Sequence, residues 1–325
     1  MRVASLLPSA TEMVHFCGAG GSLVGVTHEC DYPAGVEKLP HLTSSKIDRN
    51  MTSAEIDAAI GEHLTDTGSI YALDARLLGE LAPDLIITQS ICEVCAVSAS
   101  LLEEAASGLK TRIFSMNPTS LREVLDDTVA VGEALGRGEE AREKVAALAE
   151  RLTRLGKTLA GLPRPRVACI EWLDPPFSAG HWIPELVRIA GGEEVLARPA
   201  EPSARLSWDE VFEAAPDALV LMPCGFDAPR AFEEARRALP ELSGWEDLAA
   251  VREGRVWAVD ANSYFSRPAP RLVEGVEILA HLLHPEAFPD TPLPRGAAMH
   301  LAAARLDPPP PIHRPKKQYQ AEGRS

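Results

Sequence analysis

Several features that decide function elsewhere are missing or scarce in this sequence. No apolar run in its 325 residues approaches the roughly 20 needed to span a bilayer. Positive charge is short, with 32 Lys and Arg against 47 Asp and Glu, a net charge of −15. That balance argues against a broad nucleic-acid surface. There is no G-x-S-x-G, no Walker motif and no dinucleotide fingerprint. The one glycine cluster, Gly18 to Gly21, follows a helix pattern and so fails the context that phosphate binding requires. The opening MRVASLLPSATE has a single Arg, a short apolar run and no small-residue cleavage site. It predicts a cytoplasmic chain, in which the six cysteines are thiols, ligands or packing residues and not disulfides.

What is present is the composition of a folded protein, 46% hydrophobic and 24% charged. Ala141, Val145, Leu148, Leu152, Leu155 and Leu159 recur at alternating four- and three-residue steps, which places them on one helix face. Glu140 with Lys144 and Glu150 with Arg154 are i,i+4 pairs in the favourable order. This stretch is expected to be one long spine helix. The sequence on each side alternates short strands with helices, and near-matching phrases occur in both halves, LAPDLIITQ and AAPDALVLM. The fold class expected is α/β, two lobes of mostly parallel sheet with flanking helices, joined by the spine. The boundaries expected are an N-terminal lobe at 1–137, the spine at 138–162, a second lobe at 163–288 and a Pro-rich, coreless tail at 289–325. Four S/T-x-x-E pairs mark helix starts, Ser9 with Glu12, Thr52 with Glu55, Ser120 with Glu123 and Ser207 with Glu210.

Parallel sheets gather their loops at the carboxyl ends of the strands, where ligands bind. Here those loops are LPSATE, THECDYP, TQSICEVC, WLDPPFSAGHW, MPCGFD and DANSYFSRPAPR, and they converge on the cleft between the lobes. Aromatics make up only 5% of the chain. Several of them fall in these loops: Trp172, Phe177, Trp182, Tyr264 and Phe265, flat faces suited to a ring ligand. Cys92 and Cys95 form a C-x-x-C after a strand. With His28, Glu29 and Cys30 from a neighbouring loop they could contact a metal; they could also be a redox pair, or packing residues. Arg267 and Arg271 stand at the mouth of the last helix, placed either for an anionic ligand edge or, in the case of Arg271, for a lobe-closing salt bridge.

Taken in order, SLLPSATE, VGVTHECDYP, LAPDLIITQ, DPPFSAG, WDEVFEAAPDALVLM and SYFSRPAPRLVEGVEIL resemble the iron-complex and vitamin B12 periplasmic binding protein family, nearest to its cobalamin-binding branch. The likeness runs from about Val3 to His284. It implies a class III substrate-binding fold, with the ligand held between the lobes, no catalysis, and little hinge motion. It assigns binding roles to Phe177 and to the segment Tyr264 to Arg267. Where B12 binders present aromatics on the first lobe, this chain has Glu29, Ser44 to Lys46 and Gln89.

Three functions follow. The first is non-enzymatic binding of cobalamin or a related corrinoid or metal chelate, with Ser9, His28, Glu29, Cys30, Gln89, Trp172, Phe177, Trp182, Tyr264, Phe265 and Arg267 as ligand contacts. The second is direct metal-ion or haem binding through His28, Cys30, Cys92 and Cys95. The third is a thiol-dependent enzyme acting on a corrinoid. The expected partners are the small chelate and an ABC transporter or corrinoid-handling enzyme, with the chain itself a monomer.

Overall fold

A computed structural model describes residues 1–48, 50–67, 70–89 and 99–301. The first lobe is built from β1 (Val3–Ser5), α1 (Pro8–Phe16), β2 (Leu23–Gly25), β3 (Thr43–Ser45), α2 (Ser53–Thr67) and β4 (Tyr71–Leu73). It continues through α3 (Ala75–Leu81), β5 (Leu85–Gln89), α4 (Ala99–Ala106), β6 (Arg112–Met116) and α5 (Leu121–Ala134). Its main sheet has the order β2-β1-β5-β6, with every pairing parallel. Strand β5 is buried along its whole length, which is why it reads LIITQ without polar alternation.

The spine is α6 (Gly138–Thr158), about 32 Å long at 1.5 Å per residue. Ala141, Leu148, Leu155 and the capping Leu159 are buried, while Val145 and Leu152 are half-buried on the same face. The spine packs closely on α5 because Gly132 has no Cβ: one placed there would fall 2.4 Å from Ala141 Cβ. Lys144 pairs with Glu140 at 2.8 Å and donates to the Phe16 carbonyl, while Arg151 makes two bonds to Glu277.

The second lobe comprises β7 (Arg166–Leu173), β8 (Pro176–Ser178), α7 (Ile183–Ile189), β9 (Glu193–Glu194), α8 (Trp208–Glu213) and β10 (Ala218–Leu221). It ends with α9 (Ala228–Ala238), α10 (Ala249–Arg252), β11 (Val256–Val259), α11 (Ala261–Tyr264), α12 (Leu272–Leu283) and β12 (Ala298–His300). Its sheet runs β12-β11-β10-β7-β8, with β9 beside β7, and the central pairs are parallel.

Two local expectations are revised. The tail does not begin at Pro289, because β12 pairs antiparallel with β11. Ala297 and Leu301, on either side of that strand, are buried. A single edge strand of three residues carries too little periodicity to stand out in Pro-rich surroundings. The Ser9–Glu12 box is not formed either. Leu7 occupies the N-cap of α1 with Pro8 at the first turn, and no side chain caps it. The boxes at Thr52 and Ser207 are formed.

Truncation after Phe288 should therefore lower the melting temperature by several degrees. Leu301 alone contributes about 1.5–3 kcal/mol on burial, and each kcal/mol corresponds to roughly 2–4 °C in a chain of this size. An unchanged transition in differential scanning calorimetry would contradict the role given to β12.

Two carboxyls set a pH dependence. Burial pushes Glu194 up to about 7, against the backbone N–H bonds it accepts from Leu196 and Cys169. Burial, with Glu123 and Asp126 nearby, pushes Asp127 up to about 6. Both bind protons more tightly folded than unfolded. Their contribution is thus present below the ordinary carboxylate range and lost as pH rises through about 6 and about 7. Asp127→Asn should gain melting temperature relative to the parent as pH rises from 3.8 to about 6, and keep that gain at higher pH. A pH-independent difference would count against it.

Candidate functional site

The carboxyl ends of β1, β5, β7 and β10 face a shared cleft with a cavity of about 280 Å³. Leu7, Pro8 and Ser9 reach it from the start of α1, and Gln89 from the last position of β5. Trp172 reaches it near the end of β7, Cys224 to Phe226 from the loop after β10, and Asn262 and Ser266 to Pro268 from the loop that leads to α12. Glu29, Asp31, Ser45 and Tyr71 complete the first-lobe wall.

The floor of the cleft is an ion-pair network between the lobes. Arg271 grips Glu12 with two bonds, Nε to Oε2 at 2.8 Å and NH2 to Oε1 at 2.5 Å. Arg267 donates to Glu12 Oε1 at 3.2 Å and to both oxygens of Asp31, and also bonds the Glu29 carbonyl and Asn262 Oδ1. Glu12 is 3% exposed and Arg267 8%. Burial would raise the Asp31 carboxyl, but the Arg267 guanidinium outweighs it and holds the group below its ordinary value. Arg271 also lies 3.9 Å from the Tyr32 ring centre, a cation–π contact.

Above this floor lie two buried oxygens, Ser9 Oγ and Gln89 Oε1, with no hydrogen-bond partner among the described residues. Ser9 is 2% exposed and Gln89 7%. An unmet buried polar atom costs about 1–3 kcal/mol, so a pair of them facing one cavity is a place for ligand donors. Across the cavity, Trp172 meets Phe226 edge-on at 5.6 Å and donates its Nε1–H to the Ser53 carbonyl. Arg230 lies over Phe226 at 3.5 Å and bonds the Met51 carbonyl.

The sequence-derived residues divide sharply. Ser9, Glu29, Gln89, Trp172 and Arg267 line the cavity. Arg267 does so with its guanidinium committed to Asp31 and Glu12, so it is a structural cation and not an open anion site. Trp182 and Phe265 do not line it. They are buried together, Trp182 Nε1–H bonding the Phe265 carbonyl at 2.8 Å, because Trp182 opens α7, Phe265 closes α11 just before α12, and α7 packs against α12. Phe177 sits on β8, paired in register with Trp172 in a hairpin, and Tyr264 lies beside Arg271; neither borders the cavity. His28 is turned behind the wall, Nδ1 on Thr43 Oγ1 at 2.8 Å and its ring against Tyr71.

Cys30 is a packing thiol. Its sulfur shares hydrogen bonds with the Thr11 and Thr27 hydroxyls at 3.1 Å, and burial pushes its pKa up despite them. Cys92 and Cys95 lie outside the described residues. Among the described residues, no group of three or more His, Cys, Asp or Glu could hold a metal ion. The direct-metal reading therefore loses the His28 and Cys30 half of its donor set.

Sequence reading missed the largest apolar part of the wall. Ile47, Ile56, Ile60 and Ile70 line the cavity from the segment around α2, together with Phe226. The signal for Phe226 was its place just beyond a strand end. The isoleucines gave none, because an amphipathic helix does not state which lobe its apolar face meets.

Comparison with known proteins follows this geometry. A family profile described as periplasmic binding protein matches residues 3–262. An uncharacterised ABC transporter substrate-binding lipoprotein of Bacillus subtilis is 24% identical over 293 residues, which is 88% of this chain and 81% of the relative. The periplasmic vitamin B12 binding protein of Vibrio cholerae superposes with a TM-score of 0.65 at 22% identity, covering 88% of this chain and 97% of that one. A periplasmic haem binding protein from Pseudomonas aeruginosa gives 0.69 at 20% identity, covering 92% and 97%. These likenesses overturn the cytoplasmic expectation, since the relatives are periplasmic proteins or a lipoprotein. That expectation rested on the first residues, and Val3–Ser5 is the first strand of the sheet; those residues report on the fold and not on the compartment. Among the described residues, no helix is long and apolar enough to cross a membrane.

The network yields a test. Glu12→Ala leaves Arg267 and Arg271 buried without their shared anion and should cost about 3–5 kcal/mol. Asp31→Ala, at a half-exposed carboxylate, should cost far less. Urea denaturation of both variants measures the difference. Equal losses would show that Glu12 is not the interlobe anchor.

Proposed function

Because the chain belongs to the periplasmic binding protein family, we propose that it captures an uncharged, amide-bearing corrinoid, cobalamin or a close relative, in the interlobe cleft without catalysing a reaction. The observation that carries this is the pairing of two facts about the cleft. Its buried Ser9 Oγ and Gln89 Oε1 lack partners among the described residues. Its cations, Arg230, Arg267 and Arg271, already serve Phe226, Glu12 and Asp31.

A corrinoid edge is rich in primary amides, which suit the Gln89 oxygen, an acceptor, and the Ser9 hydroxyl, which both accepts and donates. A haem edge carries two carboxylates, which call for donors or cations not already engaged. The V. cholerae relative, described as a vitamin B12 binding protein, supports the first ligand, and the P. aeruginosa relative, described as a haem binding protein, makes the second the natural alternative. Trp172 and Phe226 supply aromatic surface on the second lobe, and the isoleucines supply the apolar wall. In this reading the partner that receives the ligand is an ABC transporter, as the description of the B. subtilis relative suggests. The continuous spine fits delivery with little change in the angle between lobes.

Titration followed by visible absorbance tests the reading. Hydroxocobalamin should bind more tightly than roughly 100 μM, about −5.5 kcal/mol, and haem more weakly than hydroxocobalamin. Gln89→Leu should reduce hydroxocobalamin affinity about 10- to 100-fold, the 1–3 kcal/mol attached to a buried acceptor, with an unchanged melting temperature. Tighter haem binding, or no binding of either, would exclude the corrinoid assignment.

A further inference from the structure

The segment between β3 and β4 begins and ends in the first lobe but rests on the second. Ser44 pairs with Ala72 across the antiparallel β3–β4 ladder, and Lys46 N bonds the Ile70 carbonyl, so both ends of the excursion leave from one narrow base. From there α2 contributes Ile56 and Ile60 to the cavity wall and meets β7 of the second lobe. Ile56 belongs to the second-lobe core cluster that holds Ala168, Ile170, Leu219 and Leu221, and Ile47, Met51 and Ile60 pack against that cluster.

Four polar ties hold it there. Glu234 of α9 accepts Ser53 N–H at 2.7 Å and the Ser53 hydroxyl in a second, short bond, so a buried carboxylate of one lobe sits at the N-terminus of a helix from the other. That is the favourable end of the helix dipole. Trp172 Nε1–H and Arg230 NH2 bond the carbonyls of Ser53 and Met51, and Arg205 faces Asp57 at 3.8 Å. Of residues 53–63 only Ser53 and Ile56 are fully buried.

We infer that α2, with Ile47 and Met51 before it, forms a lid that is latched to the second lobe through Ser53 and Glu234, and that must swing to admit ligand. The inference rests on the cleft being the binding site. Two observations on size and contact carry it. The cavity of about 280 Å³ lies at the low edge of the roughly 300–1,000 Å³ of pockets that hold drug-sized ligands, and a corrinoid is larger than those. Four of the apolar residues that line it, Ile47, Ile56, Ile60 and Ile70, belong to the excursion and not to either main sheet. The lid's isoleucines thus set which ligand faces are accepted, and the latch sets how fast the site opens. A helix with few buried side chains and one narrow base belongs to the low-stability end of a structure, where such gating elements are found.

Hydrogen exchange on the unliganded protein tests the lid without reference to any ligand. Amides of residues 56–63 should exchange far faster than those of β5 and β10. Glu234→Gln, and separately the milder surface change Arg205→Ala, should speed α2 exchange at least 10-fold and three-fold while leaving β5 and β10 as they were. Stopped-flow mixing with hydroxocobalamin should show association at least three-fold faster in both variants. If α2 exchanges only with the sheets, in parent and variants alike, there is no lid. If α2 opens but hydroxocobalamin enters at an unchanged rate, the helix does not gate the cleft. If hydroxocobalamin fails to bind the parent protein, the corrinoid assignment falls, and the exchange rates alone decide the lid.

Discussion

The carboxylate of Glu12 holds the two lobes in one geometry. It lies in the first helix of the first lobe, and its partners Arg267 and Arg271 stand before the last helix of the second, more than 250 residues away in sequence. Desolvating one carboxylate and two guanidiniums is costly, and the cost is met only because the geometry is bidentate and the surplus positive charge finds Asp31. Such a contact tolerates little sliding. With the spine packed against α5 through Gly132, it fixes the cleft's floor as a rigid, charge-balanced surface.

A charge-balanced floor constrains what the cleft can recognise. Its ion pairs are turned on one another, and the selectivity passes to the atoms above them, Ser9 Oγ and Gln89 Oε1, and to the apolar and aromatic walls. The division resembles that of many small-molecule sites, in which a few placed polar atoms set orientation while apolar surface supplies most of the affinity. Rigidity in the floor and spine leaves motion to the weakest-held element. We place that motion in α2, tied by one base to the first lobe and by a capping carboxylate to the second.

Much of the fold was legible in the sequence. The six-residue stripe from Ala141 to Leu159 marked the spine. Unbroken apolar runs such as LIIT and ALVL marked strands covered on both faces, and the α/β alternation implied a cleft at the strands' carboxyl ends. The site was legible in part. Ser9, Glu29, Gln89, Trp172 and Arg267 line the cavity; Gln89 and Trp172 lie at or near the ends of strands, where the parallel sheets gather their loops, and the other three sit in the segments beyond strand ends. Trp182 and Phe265 do not, and loop membership does not reveal that an indole N–H will find a carbonyl inside the core. Cys30 looked like a metal donor beside His28 until its sulfur was found between two threonine hydroxyls.

The sequence by itself determined the elements whose causes are local or periodic: the spine, the parallel strands, the caps at Thr52 and Ser207, and the acidic balance. Only the tertiary structure decided what those elements meet. Ser9 and Glu12 fit a capping box equally well on paper, yet one became an open acceptor in the cleft and the other the anchor between lobes. In the same way, α2 carries a helix signal that is silent about its destination. The reason is common to both cases. Spacing along the chain fixes which face a side chain shares, but pairing across more than 100 residues depends on which desolvated charges and apolar faces the folded lobes bring within reach.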